Sequence, residues 1–496
     1  MHFVLIPLDN RPVTYQFPQM ICKVAGVPAT LPPLELVGSL TAPSRPGGLS
    51  EWLSEMIKSR QPDRLLVCLD SLIYGGLINS RRGEESESEI LNRLKEISTW
   101  KKLSNSRPLT IFAQASIMRI SDNYDNTEEK KYWSRYGREI FQWSELLHRN
   151  TSGMKVPPGS LALAESRIEP AVRDDYLKTR RRNFKANNKL LDHVAKSEID
   201  FLVFSQDDSG EFGLNVLEQE KLLKAAGNFG IARKVMSYPG SDETLQTLIA
   251  RSLLESSPRK ALASLQFSSE YGSRTPSNYE GQSIGETVEQ QSHAIGLLLT
   301  NDEDANLDLQ VIVHCLEHRQ GDHIQLPGQA SDLRLLTSAE AVKRCIELLE
   351  KASKPVILCD AVYANGSDPA LVAELLKRPQ LLKKLWAYAG WNTTGNTVGS
   401  ALALGIARWY SEVQGHTEAR ERAFQEAMFV RLADDWAYQT QVRAQLNGQA
   451  VPDGKLAELM RPYLGEIGAA SGWSVPAVHV SLPWQRTFEI EVAISQ

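Results

Sequence analysis

The chain has 496 residues, 42% of them hydrophobic, with 55 Lys and Arg against 60 Asp and Glu and a formal net charge of −5. That length holds one enlarged domain or two to three smaller ones, each with a sizeable core. No Lys/Arg block offers the footprint of a nucleic-acid binder, and no run of about 18 apolar residues offers a membrane span, so neither partner is expected.

The N-terminal run FVLIP lacks the basic region and long apolar stretch of a signal peptide and reads as a first core strand. Eight further apolar runs follow: LLVCL, LTIFAQASI, FLVFS, KVMSY, ALASLQF, LQVIVH, PVILC and LWAYAG. Continuous apolar runs without alternation suit parallel strands buried on both faces. GLSEWLSEMIKS, ESEILNRLKEIS, VLEQEKLLKAAGN, DETLQTLIARSLLE, SAEAVKRCIELLEKAS and PALVAELLKRP carry helical apolar spacing between them. The pattern predicts an α/β protein, first as a (β/α)8-type barrel with insertions over residues 1–400. A doubly wound sheet, or two in tandem, is the alternative. A polar insertion is expected at about 120–187, and its TRRRNFK run reads as a solvated helix face. Residues 401–496 read as a mostly helical region ending in a strand-like tail. The five cysteines, Cys22, Cys68, Cys315, Cys345 and Cys359, are scattered without a C-x-x-C, which points to a reducing, cytoplasmic setting.

Each apolar run ends in a polar cluster, and parallel architectures place their sites at the carboxyl ends of the strands. The candidate substrate-binding residues are therefore Asp9, Asn10 and Arg11; Asp70, Tyr74 and Arg81; Arg119; Tyr238 and Asp242; Asp360; and Trp391, Asn392 and Asn396. All are expected to share one mouth, with Trp391 offering a face for a sugar ring. Structural roles compete with these. Ser241 with Thr244 is a helix-start pattern, Asp368 before Pro369 is an N-cap, and Asn396 or Thr397 is a candidate cap. Asp434 and Asp435 read as helical core with salt bridges. His314, His318 and His323 sit close in HCLEHRQGDH, but H-E-x-x-H is absent. P-loop, dinucleotide-binding and serine-elbow motifs are absent too, and no cofactor and no metal ligand set is expected.

FLVFSQDDSGEFG differs from the other clusters because Asp207 and Asp208 are adjacent at a strand end. Two carboxyls at close range push their pKa values apart, so one dipeptide can supply an acid and a charge stabiliser. These two are the candidate catalytic residues. An adjacent Asp pair after the fourth strand resembles the O-GlcNAcase and hyaluronidase-like glycoside hydrolase barrels, which implies substrate-assisted attack by a 2-acetamido group. LIPLDNRPV, LDSLIYGGLINSR, FSQDDSGEFG, YPGSDE, AYAGWNTTGNTVGSALA, DDWAYQ and LPWQRTFE, in this order, resemble a bacterial family catalogued as domain of unknown function 4127. That resemblance spans nearly the whole chain and brings no established activity. The expected function is a glycoside hydrolase acting on a small-molecule or oligosaccharide substrate. The alternatives are a metal-dependent hydrolase or lyase using some of these acids with His314, and a non-catalytic barrel that binds a polar small molecule.

Overall fold

The computed structural model describes residues 1–105, 107–300, 302, 306–324, 338–473 and 477–494. All nine apolar runs are strands, and the chain forms two compact units.

The first unit comprises Met1–Asn10, Pro28–Leu245 and Tyr279–Gly281. Its strands are β1 (Phe3–Ile6), β2 (Ala29–Thr30), β3 (Arg64–Cys68), β4 (Thr110–Ile117), β5 (Phe201–Gln206) and β6 (Val235–Pro239). They form one sheet in the order β2-β1-β3-β4-β5-β6, every pair parallel. Val4, Ile6, Leu65, Val67, Ile111, Ala113, Leu202 and Phe204 are buried strand residues of its core, which is why these strands read as unbroken apolar runs.

The second unit comprises Arg11–Val27, Gln246–Asn278 and Gln282–Gln496. Its strands are β7 (Leu262–Phe267), β8 (Leu298–Thr300), β9 (Leu309–His314), β10 (Gly321–Asp322), β11 (Val356–Asp360), β12 (Tyr363–Ala364), β13 (Leu385–Ala389), β14 (Val478–Ser481) and β15 (Glu491–Ile494). Five of them pair in parallel in the order β13-β11-β9-β7-β8. The helix Thr394–Gln414 is buried along almost its whole length. It comes so close to β11 that a Cβ on Gly405 would lie 2.4 Å from the Ile357 side chain.

Among the described residues no closed eight-stranded ladder of the kind expected from the run count is seen, and the nine runs divide between two sheets. Both architectures repeat strand and helix, so counting β-α units cannot distinguish them. Both sheets are wound alike. In each, the first strand lies between the second and third: β2-β1-β3 in one, β8-β7-β9 in the other. The likeness is one of topology, without a repeated motif. Successive connections part company there, which makes the carboxyl ends of β1 and β3, and of β7 and β9, the switch points where such sheets receive ligands.

The insertion after β4 folds as the helices Trp133–Thr151 and Ser160–Ser166 and leads into Pro170–Ala195. Trp133, Ile140, Trp143, Ala164, Ile168 and Tyr176 form a small core there with Met118 and Ile120, just after β4, and with Leu214 and Leu217 of the helix Leu214–Asn228. The solvated face expected at TRRRNFK is corrected: Arg180 and Arg182 are buried. Arg180 pairs with Glu218 at 2.6 Å, and Arg182 is engaged by backbone carbonyls. The charge run conceals two buried anchors because each guanidinium finds its acceptors only in the folded chain. No helix among the described residues is long and apolar enough to cross a membrane.

Candidate functional site

The two units divide the residues expected to share one mouth. Asp9, Asn10, Asp70, Tyr74, Arg81, Arg119, Asp207, Asp208, Tyr238 and Asp242 lie in the first unit; Arg11, Asp360, Trp391, Asn392 and Asn396 lie in the second.

In the first unit, Asp207 and Asp208 follow β5 directly. Regular strand geometry would send neighbouring side chains to opposite faces. Asp208 instead has φ of +42°, a left-handed conformation that Asp tolerates better than most residues. Both carboxyls therefore meet the same guanidinium nitrogen. Arg119 Nη1 donates to Asp207 Oδ2 at 3.1 Å and to Asp208 Oδ2 at 3.2 Å. Arg81 Nη2 donates to Asp207 Oδ2 at 2.5 Å, and Ser121 donates to Asp208 at 3.4 Å. Burial, then the charge of Asp207, pushes the Asp208 carboxyl up to about 6 against the pull of Arg119 and Arg81. The adjacent acids thus have different partners, Asp207 both guanidiniums and Asp208 Arg119 with Ser121.

A second acidic dipeptide, from the insertion, closes the network. Glu129 accepts from Arg119 Nε at 2.8 Å and Arg81 Nη1 at 3.3 Å. Glu128 meets Arg119 Nη2 at 3.1 Å and Arg81 Nη1 at 3.4 Å. Two guanidiniums are held between two acid pairs. Sequence reasoning missed Glu128 and Glu129, because within DNTEEKK they read as solvated loop and nothing local marks them as ligands of Arg81 and Arg119.

Beneath this network the carboxyl edge carries a buried polar layer. Asp70, 1% exposed, accepts from Ser116 N–H at 2.9 Å and from the Ser116 hydroxyl at 3.1 Å. Burial pushes its carboxyl up to about 6 despite those bonds. Its Oδ1 and the Tyr74 hydroxyl are buried without a hydrogen-bond partner among the described residues. Ser205 stands beside Ser116 in the β4–β5 register and is bonded by Gln114 at 2.8 Å and Ser241 at 3.1 Å. Asp9 and Asp242 are buried close by. With Asp70 they add charge around the Cys68 thiol, which burial already holds protonated. Tyr238 is buried at the end of β6, and Asn10 bonds through its backbone N–H to the Gly38 carbonyl at 3.0 Å.

Two devices hold the cluster in place. Arg182 donates to the carbonyls of Ser80, Gly83 and Glu85 at 2.8, 2.7 and 3.0 Å, and Asn183 adds a bond to Ser80 at 2.9 Å. These fix the end of the helix Leu77–Arg82, from which Arg81 projects. Arg182→Ala should lower the unfolding free energy by about 3 kcal/mol, measured by urea titration. Arg182→Lys should not restore it, since a compact ammonium cannot span three carbonyls. The second device is the segment Tyr279–Gly281. Ser209 N–H donates to the Tyr279 carbonyl at 2.7 Å and its hydroxyl to the Glu280 carbonyl at 3.1 Å. Gly281 has φ of +64°, and a Cβ there would lie 2.3 Å from the Gly210 carbonyl. Gly281→Ala should therefore destabilise by about 1–3 kcal/mol, seen as a lower urea midpoint.

The second unit holds a different cluster at its own switch point. Ser268 follows β7 and His314 ends β9; Ser268 Oγ lies 2.9 Å from His314 Nδ1, and His314 Nε2 lies 2.9 Å from Asp368 Oδ2. This connectivity resembles a hydrolytic triad, but its physical state does not. Ser268 and His314 are fully buried. Burial opposes charging of the imidazole, yet the Asp368 hydrogen bond wins and raises His314 to about 10. A ring whose charged form is favoured is disposed to donate at both nitrogens, and the Ser268 hydroxyl itself donates to the Cys315 carbonyl at 3.2 Å, so the buried trio reads as structural. Asp368 also caps the helix Pro369–Leu376, as its place before Pro369 suggests. Asp360 accepts from Asp368 N–H at 2.7 Å and from the Tyr388 hydroxyl at 2.9 Å, and burial pushes it up to about 6. Asp434 and Asp435 each pair with Arg431 at 3.1 Å, buried, as their helical reading suggests.

The remaining candidates also serve this unit. Arg11 meets Glu489 at 3.7 Å and lies over the Trp484 ring. Trp391 is 2% exposed and stands edge-on to Phe488. Asn392 has φ of +64°, and its carbonyl accepts from Asn365 N–H at 2.8 Å. The helix beginning at Thr394 is capped by Thr393, not by Asn396 or Thr397. Thr393 holds the extended backbone that a cap requires, whereas Asn396 and Thr397 already lie inside the helix. His318 is exposed and His323 bonds the Ser367 carbonyl at 2.8 Å, so neither joins His314. Among the described residues no group of three or more His, Cys, Asp or Glu is arranged to hold a metal ion.

The chain is thus an α/β protein of two parallel-sheet units, with an acid–arginine cluster on the carboxyl edge of the first. It belongs to the family described as "Protein of unknown function (DUF4127)", which matches residues 3–493. No curated protein matches it.

Proposed function

We propose that the protein is a hydrolase acting on a sugar substrate, with its chemistry at Asp207 and Asp208. The observation that carries this reading is the division of labour within the pair. Asp207 is bridged by two guanidiniums, as suits a carboxylate that holds charge, while Asp208 keeps a proton up to about 6. A carboxyl in that range can give a proton to a leaving oxygen and take one back near neutrality. Asp207 binds both arginines through Oδ2. Its Oδ1 is then suited to orient the N–H of a 2-acetamido group whose carbonyl attacks the anomeric carbon, the substrate-assisted course. Asp70, Tyr74 and Asp9 at the switch point are the groups we assign to substrate hydroxyls. The five free, buried thiols support a reducing, cytoplasmic setting.

The experiment is a panel of nitrophenyl glycosides with and without the 2-acetamido group. Turnover confined to the acetamido sugars supports the substrate-assisted course. Turnover of the plain sugars alone removes that course but keeps the acid/base pair. Binding of sugars without turnover of any member would overturn the hydrolase reading.

A further inference from the structure

We propose that Arg81 and Arg119 form a subsite for a negatively charged group on the substrate, and that Glu128 of the insertion occupies that subsite in the unliganded protein. The proposal rests on placing the substrate at Asp207 and Asp208; it adds that the sugar carries a carboxylate or a phosphate.

The four acids on the two guanidiniums are not equivalent. Glu129 is 3% exposed and makes the shorter contact of the two glutamates, 2.8 Å to Arg119 Nε, so it is the fixed member. Asp207 makes the closest contact of the four, 2.5 Å to Arg81 Nη2, and also meets Arg119 Nη1 at 3.1 Å. Glu128 is 18% exposed, and its contacts to Arg119 Nη2 and Arg81 Nη1 are 3.1 and 3.4 Å. It lies between β4 and the helix Trp133–Thr151, outside any helix or strand, where backbone can shift without breaking a ladder. Withdrawing Glu128 frees one donor on each of two guanidiniums. Paired guanidinium donors recognise the oxygens of a carboxylate or phosphate through short, charge-assisted bonds. The exchange is also balanced in charge. The incoming anion replaces the charge that Glu128 removes, so Arg81, with a side chain 1% exposed, is never left uncompensated. The neighbouring Arg82 ties the loop down through the Thr127 and Glu129 carbonyls, which confines the movement to the Glu128 side chain and its immediate backbone.

The test is calorimetric titration at low ionic strength of wild type, Glu128→Gln and Arg119→Lys with glucuronate, glucose 6-phosphate and glucose. At least one charged sugar should bind, and glucose should not. Glu128→Gln should tighten that binding by about tenfold, the worth of one charge-assisted bond. Arg119→Lys should weaken it, and added salt should weaken it further. Whether glucuronate or glucose 6-phosphate binds decides between carboxylate and phosphate. The Glu128→Gln arm stands alone if the arginine variant fails to fold, because Glu128 is partly exposed and the change is isosteric. The subsite is overturned if Glu128→Gln binds charged sugars no better than wild type, or if glucose binds as well as they do. Hydrolysis of neutral glycosides without any binding of charged sugars would sink the subsite and leave the acid/base reading standing. Charged sugars bound without any turnover would do the reverse.

Discussion

Asp208→Asn should abolish turnover of whichever glycoside the panel identifies, lowering kcat by about 10²- to 10⁴-fold, the usual worth of a positioned acid/base group. Folding should survive the change. The amide keeps the shape of the carboxyl, and it removes a group whose ionisation is opposed by burial and by Asp207. The pH profile makes the assignment sharper. If Asp208 acts as the acid, the protonated form is needed, and activity should decline as pH rises through about 6. Asp207→Asn removes the neighbouring charge that helps raise Asp208, so the same limb should move to lower pH. That variant also takes from Arg81 and Arg119 one of the three acids they share. Its loss of turnover should therefore exceed what the pH shift alone explains. Full activity in Asp208→Asn would remove that residue from the mechanism.

The second large effect belongs to the other unit and to stability. His314 is raised from its ordinary value of 6.5 to about 10 in the folded protein. The sign follows from linkage. A base whose folded pKa lies above its unfolded one stabilises fully below pH 6.5, and loses that contribution as pH rises toward 10. One proton's difference corresponds to a slope of about 1.4 kcal/mol per pH unit. The groups that face it are Asp368, Ser268, Cys345 and Asp360. Asp360, an acid raised to about 6, acts in a lower window: its protonated folded form costs stability as pH rises from its ordinary 3.8 to about 6. His314→Gln should flatten the curve between pH 7 and 9. It should also cost about 3–5 kcal/mol near neutrality, because Asp368 would stay buried without its partner. Urea unfolding of both proteins at pH 7, 8 and 9 provides the measurement. Parallel curves would mean that the imidazole is not charged in the folded state.

Much of the fold was legible because its signals are local. A strand buried on both faces is apolar through its middle, so the runs FVLI, LLVC and VILC announce themselves without reference to partners. A cap is equally local, as Asp368 before Pro369 illustrates. The adjacent acids at the end of β5 were also visible, since two neighbouring carboxyls stand out in the sequence itself and disfavour each other's charge. Less legible was everything that depends on which strand lies beside which. The same alternation of strand and helix serves a barrel and a wound sheet, and only pairing through β2-β1-β3 and β8-β7-β9 separates them.

The candidate site shows the same boundary. Arg81 and Arg119 were visible as polar residues after strands, but their partners Glu128 and Glu129 lie in a charged loop that resembles any solvated loop. Arg180 and Arg182 looked like surface charge for the same reason. A buried guanidinium is recognised by its acceptors, and for Arg182 those are the carbonyls of Ser80, Gly83 and Glu85, about a hundred residues away in the chain. The residues themselves established the strands, the helices and the unusual acid pair, because those follow from nearest-neighbour chemistry. The tertiary structure alone divided the strand-end residues between two sheets. It also turned Asp208 through a positive φ to join Asp207 on one arginine, because a side chain's partners depend on contacts that close only when the chain folds.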